Sequence, residues 1–341
     1  LPHDADLHVD APGVLVARIQ AVGLNFRDVL NVLGMYPGDP GDPGADCSGF
    51  VSSSAFGVAS GAHRIGSAIF GLAPGCLGTH VQTLDEVMFA KPPSLSYTEA
   101  ATCPTVFVTV EAALVSAARA RPGSSVLIHA ASGGVGLAGS HVIRSLGCSL
   151  VGTAGGAPKR EVLRASGCRF ALDSRSVRFV DEVVGLTSGV DSVLNSLTST
   201  GMIAATLAGM RSGASFVEIG KRDIWSAGRV AMERSDVSFG YLALDFMRPR
   251  EVSRGMRWLT LALLDGVVEP LRQVAFTMTD AQRAMRFMSQ ARHVAKVVVR
   301  PGSGSIASAV SGGKVLLTGG LGTLGSLISS WVVQESGRRL V

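Results

Sequence analysis

From Ser124 onward the chain alternates between two kinds of apolar pattern. Short runs rich in β-branched residues, "SSVLIHA", "CSLVGTAG", "RFALD", "VDSVLNSL" and "ASFVEIG", read as buried strands. Between them lie segments whose apolar residues return every three or four positions, as on one face of a helix. One such segment follows "SGGVG" and ends at Gly147; the next, "APKREVLRASG", has Pro158 suited to a first helical turn and Gly167 to a C-terminal cap. "VRFVDEVVGLTSG" and "MIAATLAGM" continue the series. Strands alternating with helices in this way predict a parallel sheet covered on both faces, a doubly wound, Rossmann-like α/β domain over residues 115–244.

The texture before this region differs. "GVLVARIQAVGLN", "DCSGFVSS" and "GSAIFGL" are short strands broken by the loop "YPGDPGDPG", a pattern expected of a mainly antiparallel, barrel-like substrate domain over residues 1–114. After it, the helical pattern "PREVSRGMRWLTLALLDG" and the strands "RQVAFTM" and "AKVVVRP" are expected to return to that domain over residues 245–301. A cleft between the two domains is the expected ligand site. Residues 302–313 read as a Gly/Ser linker. Residues 314–341 then repeat a strand, three glycines (Gly320, Gly322 and Gly325) and a helix, the expected truncated start of a second Rossmann domain.

Composition narrows the picture. With 341 residues, 47% hydrophobic and 17% charged, the chain has ample material for buried sheet and helix and is no disordered polymer. A net charge of +5 comes from scattered arginines without interleaved aromatics, which argues against a nucleic-acid surface. Five cysteines lie far apart with no CxxC and no His at ligand spacing, so neither a metal site nor a disulfide framework is expected, and a reducing, cytoplasmic setting is. The uncharged run from Val315 to Gln334 has the length of a membrane span, but four glycines up to Gly325 favour a nucleotide-type turn, and no membrane is expected.

The glycine turn after "VLIHA" carries chemistry. A strand that feeds a helix through Gly133, Gly134, Val135 and Gly136 lets backbone N–H groups at the helix start approach a pyrophosphate. The alternative is a tight turn that serves only helix packing. An NAD site usually presents an acid at the end of the second strand for the ribose 2′-hydroxyl. Here "VGTAGGAPKREVL" has no carboxylate before Glu161 and carries Lys159 and Arg160 instead. Such cations suit a 2′-phosphate, so NADPH is the expected cofactor. Read otherwise, they are surface residues of a first helical turn, where a cation opposes the helix dipole unless an anion is near.

Together, "AVGLNFRDVLNVLGMYPGD", "VLIHAASGGVG", "APKREVL", "VLNSL", "EIGKRDIW" and "FMSQARHVAKVVV" resemble the enoyl reductase domains of type I polyketide and fatty acid synthases, a zinc-independent branch of the medium-chain dehydrogenase/reductase superfamily. The pieces run in the family's order from Val14 to about Pro301. The tail similarly resembles the start of a ketoreductase. The chain departs from the family pattern at "PGADCSGF", at Ser67 in "GSAIFGL", and at Glu111 and Ala112 after Thr109.

The resemblance implies NADPH-dependent reduction of the 2,3 double bond of an enoyl thioester carried by an acyl carrier protein on phosphopantetheine, with ketoreductase and dehydratase domains as neighbours. It offers Lys221, Asp245 and Tyr36 as catalytic candidates, and Thr109 and Asn195 as cofactor-facing ones. Asn25 and Arg27 fall on a loop that the family places near the cleft, without assigned contacts. Each candidate has a structural rival: an exposed loop lysine for Lys221, a helix start for Asp245, a packing residue at a turn for Tyr36, a strand-end turn cap for Asn195. Competing functions are a freestanding quinone or alkenal reductase and a noncatalytic NADPH-binding protein.

Overall fold

The computed structural model describes residues 13–54, 63–291 and 293–301. The 302–313 linker and the second glycine turn lie outside the described residues. The chain begins with β1 (Val14–Leu24), a short α1 (Phe26–Val32), and then β2 (Asp46–Ser54), β3 (Ala68–Leu72), β4 (His80–Leu84) and β5 (Met88–Ala90). Helices α2 (Tyr97–Ala100) and α3 (Pro104–Val110) follow, and α3 runs into a π-helical turn, Glu111–Ala117. The alternating series is β6 (Ser125–Ile128), α4 (Gly134–Ser145), β7 (Ser149–Ala154), α5 (Ala157–Ala165), β8 (Phe170–Asp173), α6 (Phe179–Thr187), β9 (Val190–Asn195), α7 (Met202–Ala208), β10 (Met210–Glu218), α8 (Ala227–Glu233) and β11 (Ser238–Tyr241). The chain returns through α9 (Pro249–Leu264), β12 (Gln273–Thr277), α10 (Ala281–Ser289) and β13 (Lys296–Arg300).

Two sheets result. Six parallel strands stand in the order β11-β10-β9-β6-β7-β8, the doubly wound arrangement expected from the alternating pattern. Its strand order reverses between β9 and β6, so the carboxyl ends of those strands open the crevice where such sheets bind ligands. The second sheet has seven strands, ordered β12-β13-β1-β2-β3-β5 with β4 also on β1, and is antiparallel except for the β12–β13 pair. The fold class is therefore α/β with a mainly antiparallel companion sheet. Strands β12 and β13, some 250 residues beyond β1, complete the sheet that β1 begins.

One apolar core serves both sheets. It contains Phe70, Leu72 and Val87 from the antiparallel side, Val126, Ile128, Leu194 and Val217 from the parallel side, and α3 residues Val106, Phe107, Val108 and Val110 between them. The described residues through Arg300 form one compact unit. The helical stretch Tyr97–Ala117 is long and apolar enough to cross a membrane, but 78% of it is buried within the fold, as in a core helix. The anticipated boundary at 114/115 falls inside the π-helical turn, and that at 244/245 inside a 3-10 turn, Leu244–Phe246. Both caps read from sequence are present: Pro158 lies in the first turn of α5, and Gly167 follows its last residues with φ +86°.

Candidate active site

Three side chains meet at one carboxylate, that of Asp245. Asp245 sits in the 3-10 turn just after β11. Lys221 lies three residues past the end of β10, and its Nζ is 3.0 Å from Asp245 Oδ2. Tyr36, in the loop after α1, donates its hydroxyl to the same Oδ2. Arg27, the second residue of α1, approaches the other oxygen, Nε to Oδ1 at 3.0 Å, and donates from Nη2 to the Pro40 carbonyl at 2.7 Å. Both cations also lie over the Tyr36 ring, at 5.3 Å for Arg27 and 5.7 Å for Lys221, and Lys221 is 5.8 Å from the Phe246 ring centre.

The electrostatics follow from this geometry. Burial works to raise the Asp245 pKa, but the Tyr36 hydroxyl, the Lys221 ammonium and Arg27 outweigh it, so the carboxyl sits below its ordinary value and stays ionised. Tyr36 moves the other way: burial and the hydrogen bond to the Asp245 charge push it up to about 12, so its hydroxyl stays protonated. The side chains of Arg27, Lys221 and Asp245 are 18%, 21% and 27% exposed, which leaves the cluster accessible from one side. A cation and a neutral hydroxyl, both held on an ionised carboxylate, can donate protons or stabilise a developing oxyanion.

The glycine turn lies between β6 and α4. Gly136 is buried, and a Cβ there would stand 2.3 Å from Ala131 Cα, so only glycine lets the helix pack this closely on the turn. Gly133, Gly134 and Val135 are partly exposed at the start of the 12-residue α4, where no side chain caps the first N–H groups. That is the arrangement an anion at a helix N-terminus requires.

At the end of the neighbouring β7, Gly156 has φ +95° and nothing within 4 Å of its Cβ position. Three cations belong to the segments on either side of it. Lys159 donates from Nζ to the Ala291 carbonyl at 2.5 Å, and Arg160 is 3.6 Å from Asp173 and donates to the Ala154 carbonyl. The Nε of Arg175 would lie 3.0 Å from a Cβ on Gly155. Burial first, and then the repulsion of Arg175, lower the pKa of Lys159.

Thr109 is buried within α3. Asn195 is fully buried at the end of β9; its amide donates to Glu218 Oε2 at 2.6 Å and to the Leu197 carbonyl, and its Oδ1 accepts from the Leu197 N–H. Glu218 in turn accepts from the Gly220 N–H at 2.6 Å, which fixes the turn that launches Lys221. Among the described residues, no group of three or more His, Cys, Asp or Glu could hold a metal ion.

Sequence reading brought Lys221, Asp245 and Tyr36 forward, and they adjoin one another. It flagged Arg27 by its loop alone and did not single out Glu218 or Arg175. The acid just before "GK" and the arginine just after "ALDS" are the signals that mark the latter two.

A family profile described as zinc-binding dehydrogenase matches residues 166–299. The chain is 34% identical to a phenolphthiocerol/phthiocerol polyketide synthase component of Mycobacterium tuberculosis over 95% of its own length and 16% of that protein's, so it spans about a sixth of that relative. Among solved structures, the CurK enoyl reductase is 33% identical, with a TM-score of 0.82 over 88% of this chain and 94% of that one. The quinone oxidoreductase of Thermus thermophilus, also solved as a complex with NADPH, is 26% identical, with a TM-score of 0.71 over 87% of this chain and 95% of that one.

Proposed function

The chain belongs to the polyketide enoyl reductases of the medium-chain dehydrogenase/reductase superfamily, and from that premise we propose that it reduces the 2,3 double bond of a carrier-bound 2-enoyl thioester with NADPH during polyketide chain extension. The observation that carries this reading is the meeting of Lys221, Tyr36 and Arg27 on Asp245 at the carboxyl end of the parallel sheet.

The residues present fit the cofactor. The start of α4 at Gly133, Gly134, Val135 and Gly136 would take its pyrophosphate; Thr109 and Asn195, both buried, would support the cofactor site from behind. The open space at Gly156, with Lys159, Arg160 and Arg175 on the adjoining segments, would take a 2′-phosphate, which would offset the placing of cations at a helix start. When bound, NADPH supplies a hydride for the β-carbon of the enoyl group.

The protein's own groups handle charge and protons. Lys221 stabilises negative charge that develops on the thioester oxygen and is the donor for the α-carbon. Asp245 stays ionised and holds the ammonium in place, while Arg27 fixes the opposite carboxylate oxygen and so the carboxylate's orientation. Tyr36, kept protonated, occupies the same carboxylate oxygen as Lys221 and borders the space for a substituent on the α-carbon. The substrate would arrive in the cytoplasm on the phosphopantetheine arm of an acyl carrier protein, with ketoreductase and dehydratase domains as neighbours.

The test is NADPH consumption with crotonyl thioester compared with small quinones. Saturable turnover of the thioester, at least about tenfold above the quinone in kcat/KM, is the expected result. Preference for the quinone would replace this function with that of a freestanding reductase, and tight NADPH binding without either turnover would make the chain a noncatalytic binder.

A further inference from the structure

A second charged cluster, built on a buried ion pair, lies beside the glycine turn and takes no part in the chemistry above. Lys296, the first residue of β13, is 3% exposed and Asp46, the first residue of β2, is 0% exposed, with Nζ and Oδ2 2.7 Å apart. Lys296 also donates to Asn25 Oδ1 at 2.5 Å, and the Asn25 amide donates to Asp46 Oδ2 at 3.0 Å, closing a triangle. The other Asp46 oxygen accepts from the backbone N–H of Thr105 at 2.7 Å and from its hydroxyl at 2.5 Å. The network thus ties β2, β13, the start of α3 and the residue that opens α1.

Its position links both halves of the proposed reaction. A Cβ on Gly134 would lie 3.7 Å from Lys296 Cδ, so the lysine stem runs along the turn that would hold the cofactor. On the other side, Asn25 immediately precedes α1, and its N–H donates to Asp28 Oδ2 at 2.7 Å, while Asp28 Oδ1 accepts from the Gly44 N–H. Two residues beyond Asn25, Arg27 reaches Asp245.

A buried ion pair is weak evidence for stability, because desolvation offsets much of the attraction and apolar replacements often serve as well. What a satisfied network of this kind supplies is a fixed geometry. We propose that Asp46 and Lys296 are positioning residues: they lock the start of α1 to the glycine turn, so that Arg27 holds Asp245 and Lys221 in register with the bound cofactor. This rests on the reductase reading above.

The test is a double-mutant cycle on the full chain, with crotonyl thioester and NADPH as substrates and NADPH fluorescence to count folded sites. Asp46→Asn is expected to lower kcat per binding site about tenfold or more, with KM for both substrates within about threefold. Lys296→Arg, which keeps the charge, is expected to retain most of the turnover that Lys296→Met loses. Added to Arg27→Ala, Asp46→Asn is expected to lower kcat by no more than about twofold further, because both changes disable one path.

Full turnover in Asp46→Asn or in Arg27→Ala, or losses that multiply in the double variant, would overturn the proposal. Should Asp46→Asn not fold, Thr105→Ala, which leaves both charges paired, takes its place in the cycle, and multiplied losses or undiminished turnover there overturn it equally. A wild-type chain that turns over no thioester defeats the reductase reading and this proposal together. Wild-type turnover with an unaffected Asp46→Asn defeats this proposal alone.

Discussion

Arg27 stands in α1 and Asp245 beyond β11, far apart in the sequence, yet the arginine Nε lies 3.0 Å from the aspartate Oδ1. Tyr36 and Lys221 both hydrogen-bond the other oxygen, so the carboxylate is gripped at both of its oxygens. Removing the carboxylate's charge should therefore disturb two cations at once. Asp245→Asn is expected to lower kcat by about two orders of magnitude, and Lys221→Met by at least as much, against about tenfold for Arg27→Lys, which keeps charge but loses the planar fork. Steady-state kinetics with crotonyl thioester read all three; near-native turnover in both Asp245→Asn and Lys221→Met would move the proton donor elsewhere.

The same cluster sets a signature in acid. Asp245 is held below its ordinary value in the fold, so its contribution to stability is fully present above the unfolded value and is lost as pH falls through the lower, folded one. Melting temperature measured from pH 6 to pH 2 should fall less steeply at the acid end for Asp245→Asn than for the wild type. Parallel curves would mean that the three partners do not favour the charged carboxylate.

Tyr36 gives the complementary case in base. Its pKa is pushed up to about 12 by burial and by the Asp245 charge, so the phenol remains protonated wherever the enzyme is stable. The stability this contributes is present below the ordinary tyrosine value and is lost only as pH rises through the folded one. Ultraviolet titration should show fewer tyrosines ionising below pH 11 in the folded wild type than in the unfolded chain, and Tyr36→Phe should narrow that difference, leaving the part that belongs to Tyr97, which burial also raises. With an α-methyl enoyl thioester, Tyr36→Val is expected to alter the configuration of the product; an unchanged outcome would confine Tyr36 to packing.

Much of this was legible before any coordinates. The alternating series from Ser124 pointed to the parallel sheet because its central strands are apolar runs buried on both faces, a signal that survives without tertiary information. Strands β4, β5 and β11 were not legible, because they are three to five residues long and none of them is buried along its whole length. Lys221, Asp245 and Tyr36 could be nominated by resemblance, but nothing local says that Tyr36 and Asp245 touch. The choice left open for Asn195, cofactor or turn, reflects a real ambiguity: its amide bonds to Glu218 and Leu197, and it still stands at the strand end that opens the crevice. Arg175 lay hidden because its nearness to Gly155 arises from pairing β8 beside β7.

The cations near Gly156 make a prediction about cofactor choice. Lys159 and Arg175 are close enough to repel, and a 2′-phosphate would offset that repulsion where a 2′-hydroxyl would not. Arg175→Ala and Lys159→Ala are each expected to raise the Kd for NADPH about tenfold, equivalent to about 1.4 kcal/mol, with the Kd for NADH within about twofold. Fluorescence titration with both cofactors measures this, and equal affinity of the wild type for NADH and NADPH would remove the argument.

His129, just before the glycine turn, allows a prediction about protonation inside the fold. It is fully enclosed, with Nδ1 2.9 Å from the Thr153 hydroxyl and Nε2 2.9 Å from the Thr206 hydroxyl. The Thr206 proton is already given to the Met202 carbonyl at 2.7 Å, so Thr206 must accept, and Nε2 must carry the ring proton. Nδ1 then accepts from Thr153, which leaves no place for a second ring proton. Burial agrees, pulling His129 down to about 3. The unfolded chain takes up a proton near pH 6.5 that the folded one refuses, so His129 costs stability progressively as pH falls from about 6.5 toward 3. Nitrogen-15 spectra should show the Nε2–H tautomer unchanged down to about pH 4, while His129→Gln should lessen the decline in melting temperature between pH 7 and pH 4. A His129 resonance that titrates near 6.5 in the folded protein would mean that this ring is neither enclosed nor committed to the two threonines.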